Sequence, residues 1–185
     1  MRLLFAAMMA ASLCLMVSPA QTQEPGSTGM PPQDPRVFRE PFTLRVRVDK
    51  SHYYEEHYEK RIPYVSDNDV YLFTGENFGV NLTSKDDGAV EVSFQPDIKK
   101  ADVWFSLAQP KELGGAAMML TIQNRIKQRL QVDGLMTVPG KQGTFKTSIL
   151  PIEAGLSDFE SWPHPIVQLV VRNFRLSESQ IGKKH

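Results

Sequence analysis

His52 to Arg61 gathers more chemically capable side chains than any other stretch of this chain: His52, His57, Tyr53, Tyr54, Tyr58 and the carboxylates Glu55, Glu56 and Glu59. Imidazole and carboxylate together suit a transition metal. The spacing argues against one. A helical zinc-protease pattern needs histidines four apart with glutamate directly after the first, whereas here they are five apart and Tyr53 follows His52. No metal and no cofactor is expected, and the run reads as a solvated arm with internal ion pairs. As a helix it would put Tyr54 beside Tyr58 and Glu56 beside Lys60; as a strand it would put Tyr53, Glu55 and His57 on one face. Both forms stay open, an exposed hairpin arm or a short helix between strands. Tyr53, Tyr54, His57 and Tyr58 are candidate ligand-binding residues, since tyrosine and histidine pair an apolar body with a polar tip.

Trp162-Pro163-His164-Pro165 is a second candidate, because a tryptophan beside prolines at a loop offers a rigid amphipathic surface. Trp162 and His164 therefore join the ligand-binding set. The competing reading is a tryptophan that closes one end of a core. Asp67, Asn68, Asp69 and Glu76 offer hard oxygens for calcium, but the alternating acidic loop with its glycine and closing glutamate is missing, and a plain turn is the better reading. Asn81-Leu82-Thr83 matches a glycosylation acceptor but falls within an expected strand. No serine sits in a glycine-flanked elbow, and His164 is held between two prolines. A carboxylate pair for glycoside hydrolysis could be assembled only in space, where sequence spacing is silent. The chain is expected not to be an enzyme.

The compartment in which these residues would act is set by the first twenty. Arg2, an apolar run of about 15 residues from Leu3 to Val17, and Ser18-Pro19-Ala20 have the form of a cleaved signal peptide, residues 1–20. The run is short of the roughly 20 residues a membrane-spanning helix needs, so no stable membrane insertion is expected. Cys14 has Leu13 before it, which argues against lipid modification. Cleavage after Ala20 removes the only cysteine, so the exported chain, periplasmic or secreted, has no disulfide and relies on its core. Without Arg2, 20 basic residues face 21 acidic ones, a net charge of −1 with histidines neutral. With no long basic block either, nucleic acid is a poor partner.

Residues 21–41 carry five prolines and two glycines and are expected to be a disordered leader. From Phe42 the period of two takes over. Phe42, Leu44, Val46 and Val48 alternate with Thr43, Arg45, Arg47 and Asp49, a strand with one wet face. Further runs follow at Val70–Phe73, Phe78–Leu82, Val90–Phe94 and Val103–Leu107, with Asp86-Asp87-Gly88 as the strongest hairpin turn. Ala116 to Ile152 reads as a three-strand meander, in which Phe145, Thr147 and Ile149 share a face and Phe145 is an expected core anchor. Ile166–Leu176 is the last strand, and 177–185 a flexible tail. About nine short strands without a long amphipathic helix indicate an all-β fold: a single antiparallel β-sandwich over 42–176, immunoglobulin-like in general architecture.

Export, a flexible leader, an all-β scaffold and missing catalytic signatures together lead us to expect a non-catalytic module that binds a protein partner or surface polymer. An exposed edge strand offers a route to a homo-oligomer. The alternative from a different class is a small-molecule or metal-binding domain, or a hydrolase, with its site built from the Tyr53–Tyr64 arm and the Trp162 loop.

Overall fold

The period-two alternation becomes β-structure throughout the computed structural model, which describes residues 36–111 and 116–179. Fourteen strands and no α-helix are present among the described residues, against the nine strands expected. The nine correspond to β2 (Phe42–Arg47), β6 (Asp69–Phe73), β7 (Asn77–Ser84), β8 (Val90–Gln95), β9 (Val103–Ala108), β10 (Met118–Asn124), β11 (Gln128–Thr137), β12 (Phe145–Thr147) and β14 (Gln168–Glu178). The others are β1 (Phe38–Arg39), β3 (Tyr53–Tyr58), β4 (Ile62–Pro63), β5 (Val65–Ser66) and β13 (Ser157–Trp162). Three of these five have only two residues, too few to show any period.

Two antiparallel five-stranded sheets carry the fold, one in the order β13-β10-β9-β7-β8 and the other β12-β11-β14-β6-β5. Their apolar faces meet in one core. Phe78, Val103, Phe105, Leu107, Met118, Leu120 and Ile122 come from the first sheet, and Leu72, Leu130, Val132, Leu169, Val171 and Phe174 from the second. The layering is sandwich-like. Two two-stranded ribbons, β1-β4 and β2-β3, are added to it.

The expected meander is broken. β10 pairs with β9 and β13, whereas β11 pairs with β12 and β14, so the chain changes sheets between Asn124 and Gln128. Two half-buried strands look alike whether they share a sheet or face each other across a core, and the crossing is made by a buried side chain. Asn124 donates from Nδ2 to the carbonyls of Gln128 at 2.8 Å and of Ile152 and Glu153 at 3.1 Å, and its Oδ1 accepts from the Ile126 amide at 3.2 Å. The Gln128 and Glu153 carbonyls and the Ile126 amide thereby have partners at the sheet change, and the Ile152 carbonyl also accepts from the Leu130 amide at 2.8 Å.

Phe145 also departs from expectation. It does share a face with Thr147 and Ile149, and Ile149 is buried, but Phe145 sits at the start of β12 with 37% of its surface exposed. It is not a core anchor. The chain ends differ too. Phe38-Arg39, within the expected leader, pair with Ile62-Pro63, and β14 carries Ser177 and Glu178 of the expected tail opposite Arg129 and Gln128. The signal peptide, the leader up to Pro35 and the tail beyond Ser179 lie outside the described residues.

The turn chemistry holds at two hairpins. Asp67 and Asn68 both take positive φ between β5 and β6, the form of a two-residue turn whose twist matches its strands, and Gly88 takes φ 82° between β7 and β8. A third glycine answers to close approach rather than to φ. Gly79 lies opposite Trp104, and a Cβ there would stand 2.2 Å from the Ala101 Cβ and 3.3 Å from the Gln95 carbonyl oxygen, because the β8–β9 connection folds over it. Gly79→Ala should therefore cost about 1 to 3 kcal/mol in urea unfolding. Adding Ala101→Gly should restore much of that; an unchanged midpoint in the single variant would refute the packing account.

Candidate functional site

The hairpin β2–β3 divides the 52–61 run between two environments. Its register pairs Phe42 with Tyr58, Leu44 with Glu56 and Val46 with Tyr54 on one side. Thr43 with His57, Arg45 with Glu55 and Arg47 with Tyr53 fall on the other. The run is a strand, not a helix.

The inward side is built for attachment. Leu44 and Val46 are buried with Phe73 and Val167, and Phe42, Tyr54, Tyr58 and Ile62 pack around them. Phe42 stacks on Tyr58 at 5.0 Å, and both meet the Phe73 ring edge-on at 5.1 Å. Phe73 follows Leu72 on β6 and so points away from the main core, which is why the hairpin docks there. Tyr54 and Tyr58 both donate to Glu56 Oε2, the second at 3.0 Å. The hydrogen bond to Glu56, then burial, pushes the Tyr54 hydroxyl up to about 12, and burial, then the same carboxylate, raises Tyr58. At the far end, the Gln109 side-chain amide bonds both backbone groups of Arg47, accepting from N at 2.9 Å and donating to O at 2.8 Å.

These tyrosines lose their protons at higher pH when folded than when unfolded, so between pH 10 and 12 the folded state holds more protons. Their stabilising contribution is intact below about pH 10, the ordinary tyrosine value, and is lost as pH rises toward 12. Urea midpoints should therefore fall over that interval, and fall less steeply in Tyr54→Phe. Equal slopes for the two proteins would remove the Tyr54–Glu56 bond as the cause.

The outward side is polar and aromatic. Tyr53 is 42% exposed, with the Arg45 guanidinium 4.0 Å and that of Arg47 5.3 Å from its ring centre, and its hydroxyl accepts from Arg47 Nη2 at 2.8 Å. Arg45 also lies 3.8 Å from Glu55, and His57 Nδ1 is 2.9 Å from Thr43 Oγ1. In the connecting turn, the backbone amides of Ser51 and His52 and the His52 ring hold the Asp49 carboxyl well below the usual carboxylate range. Concavities flank both ends. One of about 210 Å³ is lined by Arg45, Arg47, Tyr53, Gln109 and Lys111, and one of about 410 Å³ by His57, Tyr58, Glu59, Lys60 and Ile62.

The structure does not unite the six candidate residues. Tyr53 and His57 face outward, Tyr54 and Tyr58 hold the hairpin down, and Trp162 belongs to the main core. Trp162 is only 9% exposed, and its Nε1 donates to Thr147 Oγ1 at 2.9 Å, a bond from one sheet to the other. His164 is half-buried, with Nδ1 3.2 Å from the Pro165 carbonyl oxygen. Arg45 and Arg47 meet Tyr53 through strand register, on the wet face that the alternation of β2 already gives them, whereas Gln109 and Lys111, beyond the end of β9, join the site only through the tertiary fold.

Other candidates resolve into structural roles. Asn68 Oδ1 accepts from the Val92 amide at 3.0 Å, and Glu76 is engaged with Arg39. Asn81 is half-buried on β7, between β8 and β9. A concavity of about 550 Å³ lies at the β11 bulge, lined in part by Asp133, Lys146, Arg172 and Asn173. Its charges largely face one another: Asp133 accepts from Arg175 at 2.9 Å and Asn173 at 2.8 Å, which lowers its pKa, and Arg172 lies 3.5 Å from Asp69. Among the described residues no group of three or more His, Cys, Asp or Glu is placed to hold a metal ion, and no helix is long and apolar enough to cross a membrane. Comparison with known proteins finds no matching family model, no matching curated protein and no matching solved structure.

Proposed function

We propose that this chain is an exported, non-catalytic β-sandwich module, immunoglobulin-like in general architecture, that binds a protein partner or surface polymer in the periplasm or outside the cell. The binding element is the outward face of hairpin β2–β3. One observation carries this reading: the hairpin's inward aromatic side anchors it to the sheets, while its other side holds Tyr53, Arg45 and His57 toward solvent. Such a rigid aromatic and arginine surface is the usual composition of a recognition site. Pairing of two copies along the β13 edge is disfavoured, because Asp158 and Glu160 lie on the core-side face of that strand, opposite Ile122 and Leu120. An antiparallel copy would bring two such carboxylate pairs together.

The test is capture from a native envelope fraction with immobilised wild-type protein, the triple variant Arg45→Ala/Tyr53→Ala/His57→Ala, and the control Lys85→Ala/Lys100→Ala. Wild type and control should retain the same material and the triple variant should lose it, with unfolding midpoints of all three close together. Undiminished capture by the triple variant would overturn the assignment of this face.

A further inference from the structure

We infer that the ligand of this face is an acidic polysaccharide, a chain of sugars bearing carboxylates, laid along hairpin β2–β3. The inference rests on the proposed binding role of the hairpin and specifies its ligand class. Charge is the first argument. The end of the hairpin near Tyr53 gathers Arg45, Arg47 and Lys111 around one concavity, against two carboxylates, Glu55 beside Arg45 and Asp49 in the adjoining turn, where Ser51 and His52 engage it. The local excess is cationic, although the mature chain is expected to carry a net charge of −1.

The form of these cations is the second argument. A guanidinium lying over an aromatic ring still has in-plane N–H donors directed outward, in a fork that matches a carboxylate. Arg45, 4.0 Å from the Tyr53 ring centre, is held in that way, and its partner Glu55, 3.8 Å away in an exposed pair, is a weak competitor. The Arg47 backbone is clamped by Gln109 and its Nη2 by the Tyr53 hydroxyl, so both arginines present donors from fixed positions.

Length is the third. The outward face runs from Thr43 to Arg47, about 13 Å along the strand, with the concavity at Arg45, Arg47 and Lys111 at one end and Thr43 and His57, 2.9 Å apart, at the other. A single small anion would occupy one end. A chain of sugars spans both, with carboxylates at the arginine end, hydroxyls toward Thr43 and His57, and the exposed part of the Tyr53 ring against a sugar face.

Binding of polygalacturonate, its fully methyl-esterified form and inorganic polyphosphate to the full exported chain tests this. Polygalacturonate should bind, and its affinity should fall severalfold as salt rises from about 50 to about 200 mM. Arg45→Ala/Arg47→Ala should weaken it at least about tenfold, roughly the loss of one charge-assisted hydrogen bond. Lys85→Ala/Lys100→Ala, which removes the same charge elsewhere, should leave it within about twofold. Equal binding of the methyl ester would overturn the role of carboxylates, and equal binding of polyphosphate would overturn the sugar. Equal weakening by the two double variants would reduce the effect to bulk charge and overturn the site. If no polygalacturonate binds while the hairpin still captures envelope material, the ligand class falls and the proposed binding role stands.

Discussion

Arg39→Met should lower the stability of this protein by about 3 to 5 kcal/mol, enough to threaten a domain whose whole stability is about 5 to 15 kcal/mol. The expectation follows from how completely this guanidinium is used. Arg39 is buried on a strand of two residues. Its Nε and Nη2 donate to the two carboxylate oxygens of Glu76, Nη1 to the carbonyls of Pro63 at 2.7 Å and Ile62 at 3.5 Å, and Nη2 also to the Tyr71 carbonyl. All five N–H donors of arginine are thereby engaged. Glu76 Oε2 in turn accepts from the Phe73 amide at 2.8 Å, and the Tyr64 ring lies 3.9 Å from the guanidinium. Removing Arg39 leaves a part-buried carboxylate and the Ile62, Pro63 and Tyr71 carbonyls without this donor, so the loss includes their desolvation. Glu76→Leu should be damaging for the reciprocal reason, and Arg39→Met/Glu76→Leu less damaging than the sum of its single changes. Urea unfolding of the four proteins is the measurement; a loss below about 1 kcal/mol in Arg39→Met would mean that the clamp contributes little net stability.

The second large effect separates two phenylalanines. Phe105→Ala should cost about 3 to 5 kcal/mol and Phe145→Ala about 1 kcal/mol, with Lys146→Ala within about 0.5 kcal/mol. Phe105 has no exposed surface, lies on the middle strand of its sheet and meets the Phe174 ring of the opposing sheet edge-on at 6.4 Å. Truncating it opens a cavity between layers that neither sheet can close alone. Phe145 is 37% exposed, and the Lys141 ammonium stands 5.7 Å from its ring centre. Urea midpoints of the three variants decide this. If Phe145→Ala proved as costly as Phe105→Ala, the open end of β12 would have to be packed in solution by something more than Lys141.

Alternation predicted nine of the fourteen strands and the split faces of Phe42–Arg47, and turn residues predicted the turns at Asp67-Asn68 and Gly88, because these depend on neighbours close in sequence. The same alternation gave Phe145 the correct face and the wrong burial. Parity states which side a residue takes and says nothing of how near the end of a sheet it lies. Composition placed Arg39 in a proline-rich leader, since a five-donor clamp closed by residues 23 to 37 positions away leaves no local trace.

Sequence by itself determined that this chain forms β-structure with wet and dry faces, and that the Tyr53–Tyr58 run carries its densest set of polar aromatic groups. Tertiary structure alone decided which strands became neighbours, that Trp162 closes the core through Thr147, and that Tyr53 meets Arg45 and Arg47 while Tyr54 and Tyr58 turn inward. The physical reason is range. Side-chain direction along a strand is set by the backbone over two residues, whereas register and layer packing are set by contacts between segments tens of residues apart, each satisfied only when its partner is in place.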